Sequence, residues 1–333
     1  MKPGNSGQAL AATELYELVR EDLQQVDREI SLRSVASVDA ITTIGRYLQQ
    51  GGGKRLRPTL LLLSSKLAGD GGQGAIRMAA VVEMIHTATL VHDDVIDVAQ
   101  IRRGRPSPNV LWGNHTSVLA GDWLYMQAFQ VALEERNFRI LDLLIGLTQT
   151  MVEGELLQLQ RLGFLTVTES DYLDLVDRKT ASLFSACSRL GAVMAGASEQ
   201  NEARLGEYAW NLGMAFQLVD DVLDFTAEED VLGKPVGSDL REGKVTLPLI
   251  YSLQEADTAE RQEVEVVLRD GNYGRVSLAR VLAIIEKHRG IERAMHRAAD
   301  FTQRARGIIA AFPESRFQRA LYRLTELVTE RDH

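Results

Sequence analysis

Apolar residues recur along most of this chain at three- and four-residue spacing, the period of one helix face, and no run alternates as a strand would. The pattern predicts one or two amphipathic helices over residues 10–50, broken by Gly51-Gly52-Gly53. Pro58 suits the first turn of a new helix that runs through Leu60-Leu61-Leu62-Leu63 and stops at Gly69. A loop follows over residues 69–74. Further helices are expected over residues 75–98, 117–133, 138–160, 169–195, 201–225, 246–254 and 279–311. Residues 102–114 and 233–243, punctuated by glycine and proline, read as irregular segments. No low-complexity linker interrupts the pattern. Residues 1–333 therefore read as one all-α domain, with residues 1–9 as a disordered lead-in.

Two of these helices carry the same acidic pattern. Asp93-Asp94-Val95-Ile96-Asp97 and Asp220-Asp221-Val222-Leu223-Asp224 are both Asp-Asp-x-x-Asp, and each follows an apolar run. On a helix, residues i and i+4 share a face about 6 Å apart along the axis. Asp93 thus shares a face with Asp97, and Asp220 with Asp224. Like charges at that spacing weaken a helix, and carboxylates among apolar residues are costly unless paired or metal-bound. One such cluster reads equally well as a solvated acidic face. Two with matching spacers point to chemistry, and facing carboxylate clusters suit Mg²⁺ that bridges to phosphate oxygens.

Composition narrows the field. The chain has 333 residues and a formal charge of −9, which argues against nucleic acid as a partner. Its single cysteine, Cys187, excludes an internal disulfide and reads as a small core residue. No signal peptide is visible, and charged or polar residues interrupt each apolar run before it reaches the length of a membrane span. A cytoplasmic enzyme is the expectation.

Metal ligands alone do not define a reaction, so the cations matter. Gly51-Gly52-Gly53-Lys54-Arg55-Leu56-Arg57-Pro58 places three cations at a helix start, where glycines allow close approach and the helix end favours anions. It is not a P-loop, because the Gly-x-x-x-x-Gly-Lys-Ser/Thr pattern is missing. Arg102-Arg103, Lys179-Thr180, Lys234 and Lys244 are further candidates. Taken singly, each reads better as a surface charge, though less so for Lys234 and Lys244, which follow glycines. His86 lies two turns before Asp93 and reads first as a hydrogen-bonded core histidine; His92 and His115 carry less signal. No zinc-type ligand spacing and no Ser-His-Asp order stands out.

Taken together, Gly52-Gly53-Lys54-Arg55-Leu56-Arg57-Pro58, Leu90-Val91-His92-Asp93-Asp94-Val95-Ile96-Asp97, Arg102-Arg103-Gly104, Gly121-Asp122, Lys179-Thr180, Gln217-Leu218-Val219-Asp220-Asp221-Val222-Leu223-Asp224 and Gly233-Lys234 resemble the trans-isoprenyl (polyprenyl) diphosphate synthases, in particular the long-chain, octaprenyl type. The resemblance runs from about residue 40 to the C-terminus. It implies an all-α helical barrel of the class I isoprenoid synthase type, a homodimer, and Mg²⁺ as cofactor. It implies that Asp93, Asp97 and Asp220 hold metal on the allylic diphosphate. Arg102, Lys179, Thr180, Gln217 and Lys234 would contact that diphosphate, with Lys244 as a further candidate. Lys54, Arg57, His86 and Arg103 would hold isopentenyl diphosphate. Asp93, Asp97, Arg102, Lys179 and Lys234 would carry the catalysis, by stabilising the leaving diphosphate as the allylic C–O bond ionises. Ser238 stands where many relatives carry Asp, while Asp239 remains.

Product length depends on the residues before the first cluster. Short-chain relatives carry bulky aromatics at the positions of Ala88 or Thr89; both are small here, so the cavity is expected to stay open. Met84, Met126 and Phe129 are floor candidates. A product in the hexaprenyl to octaprenyl range is expected, with a farnesyl- or geranylgeranyl-forming enzyme as the alternative. A terpene cyclase would usually pair one Asp-rich cluster with an Asn/Ser/Glu-type cluster. A non-catalytic partner subunit typically lacks the Asp clusters. This chain keeps both.

Overall fold

The computed structural model describes residues 12–227 and 235–329. The lead-in over residues 1–9 and Lys234 lie outside the described residues. The chain forms helices α1 (Ala12–Glu17), α2 (Arg20–Arg33), α3 (Asp39–Gln50), α4 (Leu56–Ala68) and α5 (Gly72–Ile96). A two-stranded ribbon follows, β1 (Ile101–Arg102) with β2 (Arg105–Pro106). Then come α6 (Pro108–Trp112), α7 (Asn114–Glu134), α8 (Phe138–Arg161) and α9 (Glu169–Val176). A π-helical turn (Asp177–Ala181) leads into α10 (Ser182–Met194) and α11 (Glu199–Thr226). The described chain closes with α12 (Ser238–Arg241), α13 (Leu247–Glu255), α14 (Thr258–Asp270), α15 (Leu278–Lys287), α16 (Gly290–Ala310) and α17 (Arg316–Thr329).

The all-α expectation is borne out, with local corrections. Residues 12–50 make three helices rather than one or two. The segment after Arg102 holds a short ribbon, because Arg103 (φ 53°) and Gly104 (φ 73°) both take the left-handed conformation of a tight hairpin turn. The helix expected over 169–195 contains the π turn, and the one over 279–311 breaks at Arg289, which is left-handed at φ 54°. The amphipathic helices α14 and α17 went unread in the sequence.

Helix α5 is the spine. It packs against α2, α4 and α7, while α10 lies against α4, α5, α8 and α11, and α11 in turn packs on α16. By length and composition α5 could cross a membrane, with mean hydropathy 1.3 over an 18-residue window. This corrects the expectation that no stretch reaches that length. Here 72% of that window is buried, and Met78, Val82 and Ile85 are core residues among the neighbouring helices. Cys187 is likewise buried, and burial pushes its thiol up to about 12.

Close helix approach depends on a few small residues. At the α4–α10 crossing, a Cβ on Gly191 would lie 2.3 Å from the Leu61 carbonyl oxygen and 3.0 Å from the Ser65 nitrogen. Beside it, the Ser64 and Ser188 hydroxyls share a buried 2.8 Å hydrogen bond. Because the atoms in the way are backbone, a methyl group must push the helices apart. Gly191→Ala is therefore expected to destabilise the protein by roughly 1–3 kcal/mol, read as a lower thermal midpoint by circular dichroism. An unchanged midpoint would show that this crossing is not close-packed.

Candidate active site

The C-terminal half of α5 and the last turns of α11 bring the acidic clusters to a common cavity. Its space, open mouth included, is about 1010 Å³, and its wall includes Asp93 and Asp97 on one side and Asp221 and Asp239 on the other. Lys244 reaches across, with Nζ 3.5 Å from Asp97 Oδ2 and 2.7 Å from Glu242 Oε2. Burial works against the Lys244 charge, but Asp97 and Glu242 outweigh it, so its pKa stands above the ordinary lysine value. Burial pushes Asp93 up to about 6, with Lys179 pulling the other way. Burial and Asp239 push Asp221 up to about 7.

The members of each cluster have different jobs. Asp94 turns away from Asp93 and accepts from Arg102 Nε through Oδ1; its Oδ2 is buried with no hydrogen-bond partner among the described residues. Asp221 has both oxygens engaged, Oδ2 by the Tyr172 hydroxyl at 2.7 Å and Oδ1 by Gln217 Nε2 at 2.8 Å. Asp224 is fully buried: its Oδ2 accepts from the Asp239 nitrogen at 3.2 Å, and its carbonyl oxygen from the Gly237 nitrogen at 2.7 Å. Asp224 thus holds the turn that carries Asp239 to the cavity wall, and Ser238 is buried behind it. Asp220 is half-buried, and its charge acts on both Arg57 and Asp221.

Lys179 and Thr180 reach the cavity from the π turn, a helical distortion that often marks functional sites. Glycines clear its path. A Cβ on Gly154 of α8 would sit 2.8 Å from Arg178 Cβ, and one on Gly213 of α11 would sit 2.8 Å from Ala181 Cα. Trp210 Nε1 donates to Asp177 Oδ1 at 2.6 Å and ties down the start of the turn. Lys179 Nζ then lies 2.6 Å from Glu155 Oε2 and 3.2 Å from Gln158 Oε1, while Thr180 donates to Gln217 Oε1 at 2.8 Å.

The second group of cations gathers where the start of α4 meets α5. Arg57 Nη1 lies 3.1 Å from His86 Nε2, and its guanidinium packs over the Phe184 ring. Burial lowers the pKa of Arg57, and its Nε has no hydrogen-bond partner among the described residues. Arg103 donates to the Gly52 carbonyl, and Lys54 is exposed on the same loop. His86 is held well below its ordinary pKa, first by burial and then by the surrounding arginines, so its imidazole is neutral. His86 thus sits in a cluster of cations, whereas His115 is exposed. His92 fills the space above Gly121, where a Cβ would lie 2.3 Å from Nε2, and stacks on Tyr125.

A larger, mainly apolar chamber of about 1370 Å³, mouth included, adjoins the acidic cavity and shares Asp93, Lys179, Thr180 and Gln217 with it. Thr89, Tyr125, Met151, Leu156 and Leu183 are among its walls. Thr89 therefore faces the apolar chamber. Ala88 does not sit open to a cavity: it is fully buried in the core, because it lies about a quarter-turn farther round α5 from the Asp93 face. Met126, read as a floor candidate, is 64% exposed on the outer flank of α7. Met84 is buried and borders a separate cavity behind the arginine ribbon, and Phe129 packs on the core. Sequence reasoning missed Glu155, Gln158 and Tyr172. A carboxylate and an amide three residues apart in the apolar run of α8 were the available signal for the first two.

The donor set fits a hard divalent cation: carboxylates on two facing walls, with Asp93 driven toward neutrality by burial unless positive charge is near. Among the described residues no three His, Cys, Asp or Glu side chains gather closely enough to hold an ion alone. A cation here would complete its shell with ligand oxygens and water, as small hard cations commonly do.

Comparison with known proteins agrees with this geometry. Residues 38–285 match the family described as Polyprenyl synthetase. The chain is 38% identical over 324 residues to an octaprenyl diphosphate synthase of Haemophilus influenzae, covering 97% of this chain and 98% of the relative. Among solved structures it resembles a decaprenyl diphosphate synthase from Rhodobacter capsulatus, with TM-score 0.91, 38% identity, and coverage of 96% of this chain and 99% of that one. It also resembles a polyprenyl synthase from Caulobacter crescentus complexed with calcium and isoprenyl diphosphate, with TM-score 0.91, 35% identity, and coverage of 97% and 99%. With its facing acidic walls, its converging cations and its helical class I isoprenoid synthase fold, this chain belongs to the polyprenyl synthetase family of prenyltransferases.

Proposed function

We propose that this chain adds isopentenyl diphosphate units to an allylic diphosphate, with Mg²⁺, to build a medium- to long-chain all-trans polyprenyl diphosphate. The observation that carries the reading is the junction of the two cavities. A charged chamber lined by Asp93, Asp97, Lys179 and Lys244 opens onto an apolar one through Asp93, Lys179, Thr180 and Gln217. A substrate with an anionic head and a growing hydrocarbon tail has that polarity. The single core cluster supports one catalytic domain across the described residues.

Asp93, Asp97 and Asp220 are the proposed ligands of Mg²⁺, which when bound supplies positive charge to the allylic diphosphate oxygens. Asp221, with both oxygens already hydrogen-bonded, suits a supporting role. Arg102, Lys179, Thr180, Gln217 and Lys244 bind the allylic diphosphate and stabilise it as it leaves, and Lys234 has the same proposed role. Lys54, Arg57, His86 and Arg103 hold isopentenyl diphosphate with its double bond toward the allylic carbon; neutral His86 contributes a ring N–H. The double bond attacks the allylic carbocation, forming the new C–C bond. The resulting cation loses a proton, and the departed diphosphate is the base at hand. No protein nucleophile is required.

A homodimer is supported by an exposed apolar flank on α7 and α8, where Leu119 is 65%, Val152 56% and Leu156 55% exposed. Placement in the cytoplasm follows the substrates' water-soluble diphosphates.

Asp93→Ala is expected to lower turnover at least ~100-fold with the helical circular dichroism unchanged; near-normal turnover at ordinary Mg²⁺ would refute the ligand assignment. Reversed-phase chromatography of dephosphorylated products is expected to show hexaprenyl to octaprenyl alcohols from wild type. Thr89→Phe, which places a ring in the apolar chamber, should shorten them toward geranylgeranyl. Wild type that stops at farnesyl rejects the long-chain reading, and an unaltered distribution in Thr89→Phe removes that residue from the tail path. Sedimentation equilibrium should give twice the chain mass, with Leu119→Glu shifting the protein to monomer; a wild-type monomer disproves the dimer.

A further inference from the structure

Arg55 lies between two cations assigned above to isopentenyl diphosphate, Lys54 and Arg57, yet its environment differs from theirs. It is a non-glycine residue held in the left-handed region, at φ 48°, immediately before α4. That conformation is unfavourable for an L-residue and persists only where surrounding contacts enforce it. Capping does not explain the choice, since a guanidinium has no acceptor to offer the first amides of a helix, and no side-chain cap is present.

The contacts that enforce the conformation come from two other helices. Arg55 Nη1 donates to Glu83 Oε1 of α5 at 2.5 Å, and Nη2 lies 2.8 Å from Asp27 Oδ1 of α2, an ion pair by proximity without hydrogen-bond geometry. Glu83 is only 5% exposed, so losing this partner would strand a buried carboxylate. Two residues on, Arg57 meets His86, one turn beyond Glu83 on the same helix. Arg55 and Arg57 thus make successive rungs between the start of α4 and α5. From the other side, Arg103 donates to the Gly52 carbonyl, and a Cβ on Gly53 would lie 2.8 Å from Arg103 Nη1. The turn carrying Lys54 is clamped between these two arginines.

We infer that Arg55 is a positioning residue for the isopentenyl diphosphate site: buried Glu83, with Asp27, locks it into the left-handed turn that aims Lys54 and Arg57 at the diphosphate, and Arg55 itself does not touch substrate. The inference rests on the assignment of that diphosphate site under the proposed function. Its consequence runs against simple electrostatics. If Arg55 were a ligand, Glu83 would compete for its guanidinium and repel the incoming anion, so Glu83→Gln would tighten isopentenyl diphosphate binding. If Arg55 is a latch, Glu83→Gln releases the turn and weakens binding, although a negative charge has been removed beside an anion site.

The test is steady-state kinetics with both substrates varied. Glu83→Gln and Arg55→Gln are each expected to raise the isopentenyl diphosphate KM about tenfold. kcat and the allylic KM should stay within about twofold. The double variant should be no worse than either single one, because both break one device. Arg55→Lys should recover part of the loss by keeping one ion pair. A role confined to stability would lower the thermal midpoint and the active fraction while leaving KM unmoved. A lower or unchanged isopentenyl KM in Glu83→Gln overturns the inference. Should Glu83→Gln fail to fold, Asp27→Asn, at the partly exposed partner, is expected to shift KM in the same direction by a smaller factor, and no shift there is equally fatal. Arg57→Ala separates the diphosphate site from the latch. If it leaves the isopentenyl KM unchanged, the site assignment itself fails; if it raises that KM while Glu83→Gln does not, only the latch fails.

Discussion

Charge held in an apolar helical frame needs charge of the opposite sign nearby, and this requirement organises the molecule. Asp93 and Asp221 are driven up by burial and Arg57 down, and each stands within reach of a group that opposes the shift, whereas His86, ringed by arginines, gives up its charge instead. Lys244 spans the cavity to Asp97, Lys179 rests on Glu155, and Arg55 on Glu83. These pairs are poor stabilisers by themselves, since desolvation consumes most of their attraction. They make better sense as a poised arrangement, in which a diphosphate and its cation replace contacts that the protein otherwise makes with itself.

The frame that enforces this proximity is assembled from small residues as much as large ones. Gly191 lets α4 and α10 approach until only backbone atoms separate them, and Gly154 and Gly213 leave room for the π turn between α8 and α11. The π turn shifts Lys179 and Thr180 relative to a regular helix and so sets which side chains enter the cavity. The tight turn at Arg103-Gly104 plays the equivalent part for the arginine ribbon. In both turns local backbone irregularity is held by packing from elsewhere, and a proposed substrate contact sits on it.

The polar and apolar chambers divide the proposed task. One holds the groups that do not change as the product grows, the other the tail that does. The shared rim of Asp93, Lys179, Thr180 and Gln217 is where one gives way to the other. The exposed apolar flank on α7 and α8 lies beside the mouth of the apolar chamber, since Val118, Val152 and Leu156 belong to both. In the proposed homodimer, a second copy covering that flank would also lie near the tail.

By itself the sequence determined the helical class, the placement of both acidic clusters on long apolar helices, and the candidate cations. These are legible because helix periodicity and i,i+4 spacing are short-range properties written along the chain. Only the tertiary structure decided how each residue is used. It turned Asp224 into the anchor of the Asp239 turn, engaged both oxygens of Asp221, gave Arg55 to Glu83 and Arg57 to His86, buried Ala88 and left Met126 outside. It also inserted the π turn where the sequence reads as unbroken helix. The physical reason is common to all of these. The face a helix shows to its neighbours depends on its rotation about its axis, and that is settled where side chains from distant positions interlock, as at Gly191, Gly154 and Gly213.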